Sequence, residues 1–278
     1  MMIKTLSNTA VRAATFAATL MTVSAASAAT FVNTGFEEGS FAATGLSDFS
    51  TVADPTLASG MGANASTGLN NGADGAAVSG SRTIEPMTYF SMMGKFNGNN
   101  NSSNGGMSFG WTRASGEFNP FNGSGTGVAS TDHVIVSLAR DANNTFRLGA
   151  AHGAHGAIGG GSLFGTAAVT FTSGNWYRLE GTVLFNSGTK TFTFNDVSVD
   201  NFGATGAAEV TPNVLSGTGA TVVANTFGTT GRAVYMTNRD RGFEITDNYV
   251  AAAVPEPTAA ALLVFGTIGL ISRRRRKA

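Results

Sequence analysis

Hydrophobic and polar residues alternate through most of the chain between residues 29 and 253. Met107, Phe109 and Trp111, for example, are separated by a serine and a glycine. The same two-residue period recurs at residues 134–138, 177–185, 191–199 and 243–249. A period of two places successive side chains on opposite faces of a strand, whereas a helix needs a period near 3.6. The sequence therefore predicts an all-β body.

Turn-forming residues bound each of these runs, which is typical of antiparallel sheets with one face in solvent. The chain has 278 residues, of which 42% are hydrophobic, including 20 Phe. This is enough apolar surface to build a core, so a disordered body is excluded. We predict one antiparallel two-sheet sandwich of the jelly-roll or concanavalin-A-like type over residues 29–253. Between its strands ending at Phe185 and beginning at Lys190, we predict a hairpin with Gly188 in the left-handed position.

Cysteine content and charge exclude several classes of function. The chain has no cysteine, which excludes disulfides, zinc–cysteine sites, iron–sulfur clusters and thiol nucleophiles. Seventeen acidic and seventeen basic residues balance over the whole chain. Seven of the basic residues lie near the two ends, so the body is acidic. Nucleic-acid binding needs a basic face that displaces phosphate counterions, and we therefore exclude it.

Residues 1–28 have the three parts of a secretory signal peptide. Lys4 and Arg12 provide a positive region, residues 13–23 are apolar, and Ala26 to Ala28 form a small-residue cleavage site before Ala29. We predict an N-terminal signal helix that is removed by signal peptidase. The general secretion machinery would then export the body.

The C-terminal residues 254–278 combine three features in a fixed order. Pro255, Glu256 and Pro257 precede a mainly apolar segment at residues 259–272, which we predict to be a short transmembrane helix. A basic cluster follows, made of Arg273, Arg274, Arg275, Arg276 and Lys277. About thirteen residues give a helix of only about 20 Å, so bilayer thinning and snorkelling arginines would help it to span. The positive cluster stays on the cytoplasmic side, which places the body on the other side of the inner membrane.

This order of Pro-Glu-Pro, short apolar helix and terminal arginines resembles the PEP-CTERM sorting signal. The resemblance implies processing by an exosortase, a membrane-embedded protease-like enzyme that acts near the Pro255–Pro257 triplet. It also implies a Gram-negative bacterium that makes extracellular polysaccharide. The expected location is a transient anchor in the inner membrane with the body in the periplasm, followed by the outer surface or extracellular matrix.

Two stretches of the body resemble known sandwich families. Residues 175–203, which begin Asn-Trp-Tyr-Arg-Leu-Glu, resemble a laminin-G or concanavalin-A-like sandwich. Asn33 to Glu37 and Phe243 to Asn248 resemble the ends of a galactose-binding-like jelly roll. The second resemblance implies that the first and last strands pair around a structural calcium. The two resemblances differ in topology and agree on a sandwich.

Candidate sites for metals follow from side-chain oxygens and imidazoles. Glu37 and Asp247 are the expected calcium ligands if the terminal strands pair, since calcium prefers carboxylate and carbonyl oxygens. Asp196 and Asp200, four residues apart, are predicted to share one solvated face of a strand. His152 and His155 lie among Gly and Ala without a local third ligand, and we interpret them as part of a loop. No cofactor other than a structural Ca²⁺ is expected.

The sequence lacks the acid pairs of sandwich glycosidases and the motifs of serine hydrolases and nucleotide-binding enzymes. We therefore expect a non-enzymatic exported protein of the cell surface or extracellular matrix, associated with exopolysaccharide or biofilm. The alternative is a lectin-like carbohydrate-binding module, in which Trp176 is a platform for a sugar if its face is solvated and a core residue if it is buried. A polysaccharide hydrolase or lyase is the third hypothesis.

Overall fold

A computed structural model describes residues 30–48, 56–70, 76–98, 106–113, 133–142, 144–152, 164, 166–237 and 242–254. The predicted signal helix, the Pro255–Pro257 triplet, the transmembrane segment and the arginine cluster lie outside these residues. Residues 30–253 form one compact unit. No helix in the described part of the chain is long and apolar enough to cross a membrane.

The described strands form two antiparallel sheets, as predicted. The nine-stranded sheet has the order β14-β13-β12-β7-β17-β4-β3, with β1 beside β17 and β15 beside β13. Its strands are β1 (Thr30–Thr34), β3 (Thr56–Ala58), β4 (Gly68–Asn70), β7 (Met87–Phe96), β12 (Trp176–Asn186), β13 (Thr191–Asn201), β14 (Thr211–Gly217), β15 (Ala220–Val223) and β17 (Phe243–Ala253).

The eight-stranded sheet has the order β11-β10-β9-β8-β16-β5-β2, with β6 beside β16. Its strands are β2 (Ser47–Asp48), β5 (Ala76–Val78), β6 (Arg82–Thr83), β8 (Gly106–Thr112), β9 (His133–Ala142), β10 (Thr145–His152), β11 (Val169–Thr170) and β16 (Thr230–Thr237). Two 3-10 turns, Phe41–Thr44 and Ala63–Ala65, are the helical elements of the described residues. The all-β sandwich prediction is confirmed.

The main core lies between the sheets and is rich in phenylalanine. Phe90 of the nine-stranded sheet stacks on Phe109 of the eight-stranded sheet, with ring centroids 4.4 Å apart. Phe96 meets Phe146 edge to face at 5.2 Å. Each fully buried side chain of this size contributes about 1.5–3 kcal/mol through removal of apolar surface from water. Trp111 is 1% exposed in this cluster.

The first and last strands of the unit pair with each other, as the galactose-binding-like resemblance implied. β1 lies antiparallel to the end of β17, with Thr30 opposite Ala252 and Thr34 opposite Tyr249. Both ends of the unit therefore leave the sandwich side by side.

Two local predictions differ from the structure. The β12–β13 hairpin is present, but Lys190 rather than Gly188 takes the left-handed conformation, with φ of 53°. The side-chain oxygen of Asn186 accepts hydrogen bonds from the backbone N–H groups of Gly188 and Thr189, and this fixes the turn. His152, which we interpreted as part of a loop, is the last residue of β10.

Candidate functional site

The outward-facing side of the nine-stranded sheet, here called the outer face, carries the candidate site. Alternation along β12 directs Tyr177 and Leu179 into the core and Arg178 and Glu180 outward. The register sets Arg178 opposite Met93 and Glu180 opposite Ser91 of β7. Tyr89, Arg178 and Glu180 are half-buried and reach solvent, whereas Ser91 and Met93 are buried.

Five polar side chains on the outer face form a connected group, here called the Arg178 network. The Tyr89 hydroxyl donates a 2.8 Å hydrogen bond to Glu180 Oε2. Arg178 Nε lies 3.2 Å from that same oxygen, and Arg178 Nη2 lies 2.8 Å from Asp200 Oδ2 and 3.4 Å from Glu209 Oε2. The network thus holds three carboxylates around one guanidinium.

Arg178 is fixed by more than its ion pairs. Its guanidinium lies 4.9 Å from the centroid of the Phe202 ring, a cation–π contact. Burial lowers the pKa of Arg178, but the hydrogen bond to Asp200 and the charges of Glu180 and Asp200 outweigh it, so the net shift is upward. The pKa of Tyr89 is raised, first by burial and then by its hydrogen bond to Glu180. The phenol therefore remains a hydrogen-bond donor at neutral pH.

Asp200 is the most buried acid of the network, so of the two residues predicted to lie on a solvated face only Asp196 is solvated. A β-bulge between Glu180 and Thr182 on β12 places one extra residue on β13 at this point. Asp196 sits in the bulge with φ of 50° and is exposed, whereas Asp200 is 3% exposed. The second oxygen of Asp200 accepts a 2.7 Å hydrogen bond from the N–H of Asn213.

Trp176 lies on the outer face, as its alternation predicted, yet it is only 1% exposed. It packs with Ala63, Met93 and Ile245 in a second, smaller core outside the sheet. Residues 60–66, here called the 60–66 loop, cover it from one side. From the other side Gly206 approaches so closely that a methyl group there would lie 2.9 Å from the indole ring. The tryptophan is thus a buried wall rather than an open platform.

Asp247 anchors the 60–66 loop to the sheet. Its Oδ2 accepts hydrogen bonds from the Ala63 N–H at 2.8 Å and the Ser66 hydroxyl at 2.7 Å, and its Oδ1 accepts one from the Asn248 N–H at 2.7 Å. Burial raises the pKa of Asp247; the hydrogen bonds oppose this and the charge of Glu37 adds to it. The three hydrogen bonds hold the 60–66 loop against the sheet. The backbone of this loop is strained, since Asn64 has a φ of 53°.

Glu37, the other predicted calcium ligand, contacts the same part of the chain. Its Oε1 accepts a 2.6 Å hydrogen bond from the N–H of Thr67, and the side chain is exposed. The structure thus brings both predicted carboxylates to the 60–66 loop region, where backbone donors occupy oxygens of each. Among the described residues, no group of three or more His, Asp or Glu side chains is arranged to hold a metal. Calcium at Glu37 and Asp247 stays a prediction.

A pocket of about 360 Å³ lies between the 60–66 loop and the outer face. Trp176 and Ile245 form its apolar wall, and Lys95 stands between them because it is opposite both residues in the strand register. Asn64 and Thr205 add polar groups at the rim. A second cavity of about 330 Å³ lies beside β13 and β14 and includes Asp196, Ser198 and Asn213.

The sequence reasoning did not find the Arg178 network or the role of the 60–66 loop. One part of the network could have been found from the sequence, because the alternation along β12 places Arg178 and Glu180 on one face. Tyr89, 91 residues earlier, joins them only through the pairing of β7 with β12. His152 lies at the end of β10, while His155 falls outside the described residues.

Comparison with known proteins gives similarity of structure alone. No protein-family model and no curated protein sequence matches the chain. Solved structures that are similar include the lectin UEA-II complexed with galactose, at 11% identity and a TM-score of 0.47, covering 76% of this chain and 93% of that one. Lectin II from Ulex europaeus has 10% identity, a TM-score of 0.40 and coverages of 76% and 92%.

A third similar structure is domain 4 of an extracellular arabinanase from Geobacillus stearothermophilus, in complex with arabinotriose. It has 10% identity and a TM-score of 0.42, and the match covers 81% of this chain and 93% of that one. Each TM-score is below 0.5, so the fold assignment rests on the strand pairing of this chain itself.

Proposed function

We propose that this chain is an exported, non-enzymatic protein whose β-sandwich binds polysaccharide on its outer face and is sorted to the cell surface through its C-terminal segment. The observation that carries the binding proposal is the Arg178 network. It presents donors and acceptors that are already fixed on a half-exposed sheet surface.

Polyhydroxylated ligands need such a surface. A sugar hydroxyl both donates and accepts hydrogen bonds, so it is best met by charged groups held in fixed positions. Glu180 and Glu209, whose side chains are 23% and 39% exposed, supply acceptors and Arg178 supplies donors. The Tyr89 ring adds a flat apolar surface for the C–H face of a sugar. Because ion pairs already order these side chains, binding would cost little additional side-chain entropy.

The same contacts favour binding over hydrolysis. In a glycosidase one carboxylic acid delivers a proton while a second carboxylate acts as base or nucleophile. Here Glu180 Oε2 accepts a hydrogen bond from Tyr89 and pairs with Arg178, and Asp200 is enclosed by Arg178 and Asn213. Glu180 Oε2 and both oxygens of Asp200 are therefore engaged in holding the network together. The chain therefore suits a binding module better than a polysaccharide hydrolase or lyase.

Retention on immobilised polysaccharides tests the binding proposal. We expect the full chain to be retained on at least one neutral matrix polysaccharide. Glu180→Gln and Tyr89→Phe should each weaken retention about fivefold or more, since hydrogen bonds to charged groups contribute about 1.5–3 kcal/mol. Glu38→Gln, an exposed acid outside the network, is the matched control and should bind normally. Absence of retention on every polymer, or release of reducing sugar, would refute the proposal.

Sorting is the second part of the proposal, and the order of features at residues 254–278 supports it. From the sequence, we expect the two prolines to disfavour a helix at residues 255–257, which would suit recognition by a processing enzyme such as an exosortase. The antiparallel pair β1–β17 ends at Ala253, so a cut beyond this point would remove no residue of the sandwich. Mass spectrometry of the secreted protein would locate the new C-terminus. An intact chain ending at Ala278 in the secreted fraction would overturn the sorting proposal.

We also propose a structural calcium ion at Glu37 and Asp247. Both side chains meet the 60–66 loop region, and Glu37 is exposed enough to accept a cation. Thermal unfolding with and without a chelator tests it: a lower midpoint with chelator supports calcium, and an unchanged midpoint removes it.

A further inference from the structure

We infer that the pocket beneath the 60–66 loop binds the carboxylate-bearing ring of an acidic sugar, with Lys95 as the counter-ion for the carboxylate. This inference rests on the proposed polysaccharide binding and names a ligand class for a site next to the Arg178 network.

Lys95 is the group that sets the charge of the pocket. It is half-buried on the outer face, between the apolar side chains of Trp176 and Ile245. It forms no ion pair with any residue in the described part of the chain. A partly desolvated ammonium between apolar groups gains free energy from an anion that reaches it.

Asp247 does not act as the anion that pairs with Lys95. It lies two residues beyond Ile245 along β17, but its two oxygens already accept hydrogen bonds from the 60–66 loop and from Asn248. The carboxylate is committed to holding the loop, which leaves the Lys95 ammonium available to a ligand.

The walls of the pocket match a sugar ring better than a simple anion. Its volume of about 360 Å³ falls within the range of about 300–1,000 Å³ that ligand pockets occupy. Met61, which is 48% exposed in the 60–66 loop, offers apolar contact for the C–H surface of a ring, while Trp176 and Ile245 line the pocket but are only 1% and 4% exposed. Asn64 and Thr205 are the polar residues that line the pocket together with Lys95.

The position of the pocket separates acidic from neutral units of one polymer. Trp176 and Arg178 are two residues apart on β12, or about 7 Å along the strand. The Arg178 network holds three carboxylates and one guanidinium, so it would repel the carboxylate of an acidic sugar unit. An acidic unit is therefore favoured at Lys95, and neutral units are favoured over the network.

Titration calorimetry with monosaccharides tests this inference. D-glucuronate, D-glucose and acetate would be titrated into the full chain, kept in mild detergent because of its apolar C-terminal segment. We expect glucuronate to bind at least tenfold more tightly than either glucose or acetate. Lys95→Gln should abolish this preference, while Lys95→Arg should keep it. Lys190→Gln, a half-buried lysine at the opposite end of β12, is the matched control and should bind glucuronate as the wild type does.

The outcomes separate this inference from the proposed function. Equal affinity for glucuronate and glucose, unchanged binding in Lys95→Gln, or acetate as tight as glucuronate would overturn the inference. Retention on neutral polymers together with any of these results would leave the outer-face proposal standing. Glucuronate binding that depends on Lys95, without retention on any polymer, would support the pocket and refute the outer-face proposal. Thermal unfolding of each variant identifies loss of folding as a cause of lost binding.

Discussion

The hydrogen bonds of Asp247 give a quantitative prediction about the 60–66 loop. Replacing Asp247 with Ala removes the acceptor of the Ala63 N–H, the Ser66 hydroxyl and the Asn248 N–H. A buried donor without an acceptor costs about 1–3 kcal/mol, and a half-exposed hydrogen bond contributes about 0.5–1.5 kcal/mol. Burial of the carboxylate, which raises its pKa, offsets part of this. We expect Asp247→Ala to lower the free energy of unfolding by about 2–3 kcal/mol.

A double-mutant cycle with Ser66 isolates the contact that anchors the loop. Ser66→Ala alone should cost about 1 kcal/mol, because it removes one hydroxyl that donates to a charged acceptor. In the Asp247→Ala background the same change should cost much less, giving a coupling energy of about 1 kcal/mol. Urea unfolding followed by tryptophan fluorescence measures each variant. A Trp111→Phe background would restrict the signal to Trp176, the indole beneath the loop.

Two results would refute this reasoning. The first is a change of less than about 0.5 kcal/mol in Asp247→Ala, within the range of ordinary surface substitutions. The second is additivity of the two substitutions, which would show that Ser66 and Asp247 do not stabilise the loop together. Glu38→Ala, an exposed acid one residue from Glu37, is the control and should leave the unfolding free energy unchanged.

Three further predictions follow from the same structure. Because the pKa of Asp247 is raised, the folded protein holds the proton on this carboxyl group more tightly than the unfolded chain does. The free energy of unfolding should therefore fall as the pH rises from about 3.8 through the raised pKa. Asp247→Asn should remove this part of the pH dependence of stability, and an unchanged pH profile in this variant would contradict the prediction. Gly110→Ala should lower the midpoint of thermal unfolding strongly, because the new methyl group would overlap the Val134 carbonyl oxygen. Gly80→Ala is the control and should be tolerated, because its methyl group would meet open space. Equal unfolding midpoints for the two variants would refute this prediction. Phe109→Ala should cost about 3–5 kcal/mol in urea unfolding, because it leaves a cavity between the sheets, and a loss below 1 kcal/mol would contradict the stacked core.

The sheet architecture could be predicted because alternation is a local property. The runs around Phe109 and along residues 177–185 and 191–199 each have a two-residue period, and they form β8, β12 and β13. The faces were also predictable: Tyr177 and Leu179 point into the core, and Arg178 and Glu180 point outward. Strands of only two or three residues, such as β4 and β5, were missed because three residues are too few to show a period.

The candidate site could not be assembled from the sequence because its parts are distant along the chain. Tyr89 reaches Glu180 through strand pairing, and Asp247 reaches Ala63 across 184 positions. The bulge at Asp196 depends on one extra residue relative to β12, which spacing within β13 cannot reveal. The sequence alone does not decide whether Trp176 is a sugar platform or a core residue, because the loop that covers it has no periodic pattern.

The position of β17 has a mechanical consequence. This eleven-residue strand is hydrogen-bonded to β7 along one side and to β1 and β4 along the other. Tension applied to the chain beyond Ala253 would pull along the strand axis, so many ladder hydrogen bonds would bear the load at once instead of opening one by one. A sandwich gripped in this way should resist extraction by flow or by a moving surface better than one held by a terminal edge strand.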